Sequence, residues 1–344
     1  MSTSTDAGLL DYEVFALGDF ILQHGMTLRD AKIAYKTYGT LNAARNNAIV
    51  YPTWFGGQHS DNEYLIGPGM ALDPAKYFII VPDMFANGLS PSPSNVSPPY
   101  DRARFPNVTY YDNVRAQHRL VTERFGIEKV ALVLGWSMAA GQTYQWAVSY
   151  PDMVERILPF CATARIPIHN FVVLEGLKAA LQSDPDWRQG WYDQQPTKAK
   201  RDAGRVSAGW GLSAAFYREE VYLRIGYASL DDFLVGFWEN LYRSRDINDL
   251  LAMLWTLQHG DVGATPGFSG SLEKALGSIT ARALVMPSQT DFYFPAEDSE
   301  REVRLMAHAT FRPIPSIWGH WAGSGMNPQD TQFIDDSIKE LLRS

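Results

Sequence analysis

The chain is poor in the features that would place it outside the ordinary globular proteins. Of 344 residues only one, Cys161, is a cysteine, so no intrachain disulfide can form, which fits a reducing compartment. No run approaches the ~20 apolar residues that a membrane-spanning helix needs. The first twenty residues lack a basic stretch leading into an apolar one, so no secretory signal is expected and the reading is a cytoplasmic protein. Basic residues are outnumbered, 30 against 38 acidic, for a formal charge of -8. That balance argues against nucleic acid or an anionic membrane as a partner. Repeats and low-complexity tracts are also missing.

What is present is apolar: 46% of the residues, enough for a large buried core. Short β-rich runs recur near Glu13–Asp19, Ala31–Tyr38, 47–57, 77–83, 130–136, 156–161, 282–291 and 311–320. Most are continuous rather than alternating, the pattern of strands covered on both faces of a parallel sheet. Helical patterns lie between them, in "NVRAQHRLVTERFG", in "AAGQTYQWAVSYP" and in the closing "DTQFIDDSIKELLRS". Alternation of this kind predicts a doubly wound, mostly parallel α/β sheet. Residues 166–278 break the alternation. They are rich in helix formers and aromatics, and they read as a helical lid inserted into a core formed by 1–165 and 279–344.

"VALVLGWSMAAGQ" carries the chemistry. A buried strand, then Gly135-Trp136-Ser137-Met138-Ala139, then a helix is the pattern of a nucleophile elbow. The turn is tight, so the positions two before and two after the serine must be small. It exposes the hydroxyl and aims the Met138 N–H at a developing negative charge. A serine nucleophile needs a base and an orienting acid, in the chain order Ser, acid, His. Asp291 ends the run "RALVMPSQTD", and His320 ends "FRPIPSIWGH"; Asp298 and Glu297, further along, are the rival acids. Among the seven histidines, His308, His118 and His259 read as helix-face residues of the surface or core, and His24 and His169 stand without companions. His59, near Asp61 and Glu63, reads as loop packing rather than a metal ligand, because no second histidine stands at ligand spacing. Trp54, in "YPTWFGG", is the expected second backbone donor, with Phe55 as the alternative. Cys161 reads as an inert buried strand end.

These residues give the chain its likeness. It resembles the homoserine O-acetyltransferase-like branch of the α/β-hydrolase superfamily in "PTWFGGQH", "IGPGMALDPAKYFII", "FPNVTYYDNVRAQHRL", "GWSMAAGQTYQWAVSYPDMVERI", "TDFYFP" and "GH". The resemblance implies an α/β-hydrolase fold and acyl transfer through an acyl-Ser137. It makes Asp291 and His320 the partners of Ser137, and Trp54 and Met138 the backbone donors. A homodimer is a further expectation from the family, and no cofactor or metal is required. Trp321 stands where the homoserine enzymes carry an aspartate that helps bind homoserine, and an indole cannot accept a hydrogen bond from an ammonium or hydroxyl. Trp136 and Trp321, with Phe55, are expected to line an apolar pocket, whereas Trp318 reads as core. The sequence thus implies a serine hydrolase acting on an ester, amide or thioester of a hydrophobic or aromatic small molecule. A CoA-dependent O-acyltransferase with an acceptor other than homoserine is the alternative. A non-catalytic binding module on the same fold would predict a damaged triad, and all three members are present.

Overall fold

A computed structural model describes residues 11–344. Eight strands form one sheet: β1 (Glu13–Ile21), β2 (Thr27–Tyr38), β3 (Ala48–Val50), β4 (Phe78–Pro82), β5 (Leu132–Trp136), β6 (Arg156–Phe160), β7 (Arg282–Val285) and β8 (Ala309–Phe311). Their spatial order is β1-β2-β4-β3-β5-β6-β7-β8. The first two strands run antiparallel to their neighbours, and every pairing from β4 to β8 is parallel. This is the α/β-hydrolase fold with a mostly parallel sheet.

The continuous apolar runs follow from burial on both faces. Ala48, Val50, Ile80 and Val133 pack on one side with Val114 of α1 (Tyr110–Arg119) and Trp146 of α2 (Met138–Ser149). Ile49, Ile79, Leu132 and Leu134 face the opposite layer with Ile334 and Ile338, which belong to the C-terminal helix. The capping box of Thr109 and Asp112 starts α1 three residues before the expected pattern begins.

Each expected run overlaps a strand, but three reach well past theirs: 47–57, 282–291, whose strand stops at Val285, and 311–320, which shares only Phe311 with β8. β3 ends at Val50, although Tyr51 and Thr53 still donate to the carbonyls of Ile80 and Pro82, and from Trp54 on the run is loop. The last run forms its strand at Ala309–Phe311; beyond it only Ile314 bridges, to Ser288, with a proline on either side at 313 and 315. The N–H groups of Arg312 and Ile314 still donate to Val285 and Pro287, so the prolines take the positions that face away from β7, as an edge strand allows. The chain then leaves the sheet, and His320 sits in a short 3-10 turn, Gly319–Gly323, not on a strand. His308 sits in a turn and not on a helix.

All the helices from Ile168 to Gly277 fall between β6 and β7. Among them are α3 (Ile168–Gln182), α4 (Thr197–Gly211) and α5 (Ile247–Gln258). Leu174, Leu177, Ala199, Ala203, Leu250 and Met253 form their shared core, which also holds Met138 and Phe294 of the sheet layer. The last part of the segment, with Val262, Ala275 and Leu276, packs into the sheet core instead. After β7 come α6 (Ala296–Val303) and α7 (Pro328–Arg343). Among the described residues no helix is long and apolar enough to cross a membrane.

Candidate active site

Ser137 lies between β5 and α2 with φ 56° and ψ -126°. That backbone is strained for a residue with a Cβ, and it persists because the flanking strand and helix fix it. The small neighbours have a steric cause. A Cβ on Gly135 would stand 2.6 Å from both the backbone and the methyl group of Ala139. Gly135 therefore has to be glycine, and Ala139 can keep its methyl because Gly135 has none.

The loops after β7 and β8 bring two more groups to this turn. His320 Nε2 lies 2.7 Å from Ser137 Oγ, and His320 Nδ1 lies 2.7 Å from Asp291 Oδ2. The other carboxylate oxygen of Asp291 accepts the N–H groups of Tyr293 and Phe294 at 2.8 and 3.1 Å, which fixes the plane of the carboxylate. Phe294 stacks on the His320 ring and Tyr293 meets it edge-on. All three polar residues are buried. The rival acids lie apart: Asp298 and Glu297 occupy the first turn of α6, with Asp298 bonded to Arg301.

The N–H of Met138, the first residue of α2, and that of Trp54 donate to no group among the described residues. Phe55 N–H is free as well. The Trp54 loop is pinned on two sides. Gln142 of α2 donates to the carbonyl of Thr53 at 3.0 Å, and Thr53 Oγ1 accepts from Met84 N–H. Further along, His59 is buried with Nδ1 2.8 Å from Asp83, and its backbone N–H bonds the same carboxylate. Asp61 is taken up by the N–H of Gln58 and Glu63 by Lys36 and Tyr38, so neither acid contacts the imidazole. Among the described residues no cluster suited to a metal ion occurs.

Above Ser137 and His320 opens a cavity walled by Trp54, Phe55, Trp136 and Trp321 on the sheet side and by Asn170, Leu174, Trp238 and Tyr242 from the inserted helices. The cavity is small, about 70 Å³. The aromatic rings account for the narrowness. Trp136 packs on Trp54 and Trp321 with ring centres 4.7 and 5.4 Å apart, and Trp321 packs on Phe237 and Trp238. Trp318 is buried against Phe216, away from the cavity. Cys161 is buried at the end of β6, and burial, with Asp291 adding to it, pushes its thiol well above the usual range. Gln142, the His59–Asp83 pair and Asn170 were not singled out by sequence. Their partners lie 24 to 123 positions away, and nothing local in the sequence marks such contacts.

Sheet order, elbow and cavity together define a class, and comparison with known proteins agrees: residues 49–322 match the family described as the alpha/beta hydrolase fold, to which the chain belongs. Within it, the chain is 39% identical to an ethyl acetate hydrolase of Pseudomonas veronii, over 97% of this chain and 96% of the relative. The structure of the acetyl esterase MekB is similar at 38% identity and a TM-score of 0.95, covering 99% of each chain. A homoserine O-acetyltransferase from Bacillus anthracis is more distant, at 28% identity and a TM-score of 0.85 over 97% of each chain. The chain is an α/β-hydrolase enzyme with esterase relatives. The narrower likeness to the homoserine O-acetyltransferases is the weaker of the two.

Proposed function

We propose that this protein is a serine esterase that cleaves short-chain esters, acetates above all, through an acyl-Ser137 intermediate. The observation that carries the reading is the hydrogen-bonded line Asp291–His320–Ser137 at the floor of a narrow apolar cavity. His320 takes the proton as Ser137 Oγ attacks the ester carbonyl, and Asp291 holds the imidazole in the tautomer that can accept it. The oxyanion forms within reach of the free N–H groups of Met138 and Trp54, aided by the N-terminus of α2. His320 then gives its proton to the leaving alcohol. In the second half-reaction it activates a water, which attacks the acyl-serine and releases the acid.

The space beside Ser137 suits an acetyl group and a small alcohol, and larger acyl chains would have to displace packed indoles. The chain's similarity to an ethyl acetate hydrolase and to an acetyl esterase supports the same reading. A second reading, CoA-dependent O-acyl transfer, is supported by the likeness to the Bacillus anthracis enzyme. Against it, Trp321 fills the wall with hydrocarbon where a polar acceptor would need a hydrogen-bond acceptor.

Rapid-quench mass spectrometry of the intact protein tests both readings. With an aryl acetate, a +acetyl adduct should form and vanish, and Ser137→Ala should lose it together with at least ~10⁴-fold of the turnover. An adduct formed from acetyl-CoA that persists until an alcohol is added would establish the transferase reading instead. A Ser137→Ala protein that still turns over esters would remove Ser137 from the mechanism.

A further inference from the structure

The cavity holds one polar group that the chemistry above leaves unused. Asn170, in the first turn of α3, is 1% exposed and lines the cavity. Its Nδ2 donates to the carbonyl of Tyr293 at 2.8 Å, whereas its Oδ1 is buried without any hydrogen-bond partner. The orientation of the amide is therefore fixed. Turning it over would set Oδ1 against a carbonyl oxygen and lose the one bond it makes. A buried acceptor without a donor costs about 1–3 kcal/mol, and hydrocarbon such as the neighbouring Leu174 and Leu177 would fill this wall without that cost. The Tyr293 carbonyl ties the amide to the catalytic turn, since the Tyr293 ring lies edge-on to His320 at 5.1 Å.

The other buried side-chain groups in the cavity wall without a partner, the indole N–H groups of Trp54 and Trp238, are donors, and neither they nor the free backbone N–H groups of Trp54 and Phe55 bond Asn170 Oδ1. Nothing in the wall answers the amide oxygen. An acetate ester of a simple alkanol cannot answer it either, because an ester carries only acceptors. A hydroxyl can.

We infer that Asn170 is a specificity-determining residue whose Oδ1 accepts a hydrogen bond from a hydroxyl on the alcohol part of the substrate. The preferred substrate class is then a short-chain ester of a small diol or other hydroxylated alcohol. This rests on the esterase reading above and narrows it. A site with a buried group built for a substrate hydroxyl discriminates strongly against the analogue that lacks it, because the group is then left unpaired.

Two esters of nearly equal size test the inference: 2-hydroxyethyl acetate and n-propyl acetate, with each kcat/KM divided by the ester's alkaline hydrolysis rate. The wild-type enzyme should favour the hydroxy ester by roughly 10-fold or more. In Asn170→Leu that ratio should collapse towards one, with the loss concentrated in kcat/KM of the hydroxy ester. A wild-type ratio near one would overturn the inference, since a hydroxyl that only replaces bound water gains nothing. Equal losses on both esters in Asn170→Leu would also overturn it and leave the residue a structural role. If the variant fails to fold, the wild-type ratio decides alone. If neither ester is cleaved in a Ser137-dependent way, the esterase reading itself fails, and that result is distinct from cleavage of both without preference.

Discussion

The indole N–H of Trp136 donates to the backbone carbonyl of His320 at 3.0 Å. The residue ahead of Ser137 thus holds the backbone of His320, across 184 positions of sequence. The same ring packs on Gly323, where a Cβ would stand 2.3 Å from the indole. Trp136 is both cavity wall and brace for the His320 turn.

Trp136→Phe keeps most of the packing and removes the N–H. The His320 carbonyl is then left without this donor in a buried setting, at about 1–3 kcal/mol of stability. Loss of the brace should lower kcat by ~10–100-fold with KM less affected. Steady-state kinetics on ethyl acetate, beside a thermal melt, would check it; unchanged kcat would show that Phe294 and Tyr293 hold the ring unaided.

The elbow makes an asymmetric prediction. Ala139→Gly removes a methyl from a site that does not need it and should leave a folded enzyme. Gly135→Ala forces a Cβ into the Ala139 backbone at 2.6 Å and should destabilise by about 1–3 kcal/mol or more. Far-ultraviolet circular dichroism melts of the two variants should differ clearly; equal melting would mean that the turn relaxes.

Asp249 ties α5 to the loop after β4, accepting both the N–H and the hydroxyl of Ser94. Burial, with Asp246 adding to it, pushes its carboxyl up to about 7. The folded protein therefore holds this proton more tightly than the unfolded chain. The associated stability is fully present below about pH 4 and is lost as pH rises through 7. Asp249→Asn keeps an acceptor for Ser94 and abolishes the titration. Its melting temperature should match wild type near pH 4 and exceed it by roughly 2–4 °C or more near pH 8. A variant less stable than wild type at pH 8 would mean that the ionised carboxylate is the favoured partner of Ser94.

Cys161 should resist alkylation in the native protein. It is buried, and its thiol sits well above the usual range, so little thiolate is available. Iodoacetamide at pH 8 should leave the folded chain unmodified and label it once denatured, as read by mass; rapid native labelling would reveal an opening beside Asp291.

These contrasts also mark what sequence could carry. The elbow, the strand ends and the order Ser137, Asp291, His320 were legible, because tight turns and doubly buried strands impose composition within a few residues. The eighth strand was set too late, because Ala309 and Thr310 lie before the apolar run, and it was carried too far, because the chain leaves the sheet after Ile314. Trp136 was legible as cavity wall but not as a donor to His320. His59 read as loop packing, and its partner Asp83 was invisible. Such pairs depend on where the sheet sets two distant loops, and periodicity within one stretch contains no trace of that.

Ser137, Asp291 and His320 follow β5, β7 and β8 of one sheet, whereas Asn170, Trp238 and Tyr242 come from the segment joining β6 to β7. The two sets are thereby modular. Recombination that exchanges residues between the same two strand ends would supply a new cavity wall while the Ser137–His320–Asp291 geometry stays in place. For protein engineering, this makes the inserted helices the cassette to randomise and the sheet the chassis to leave alone.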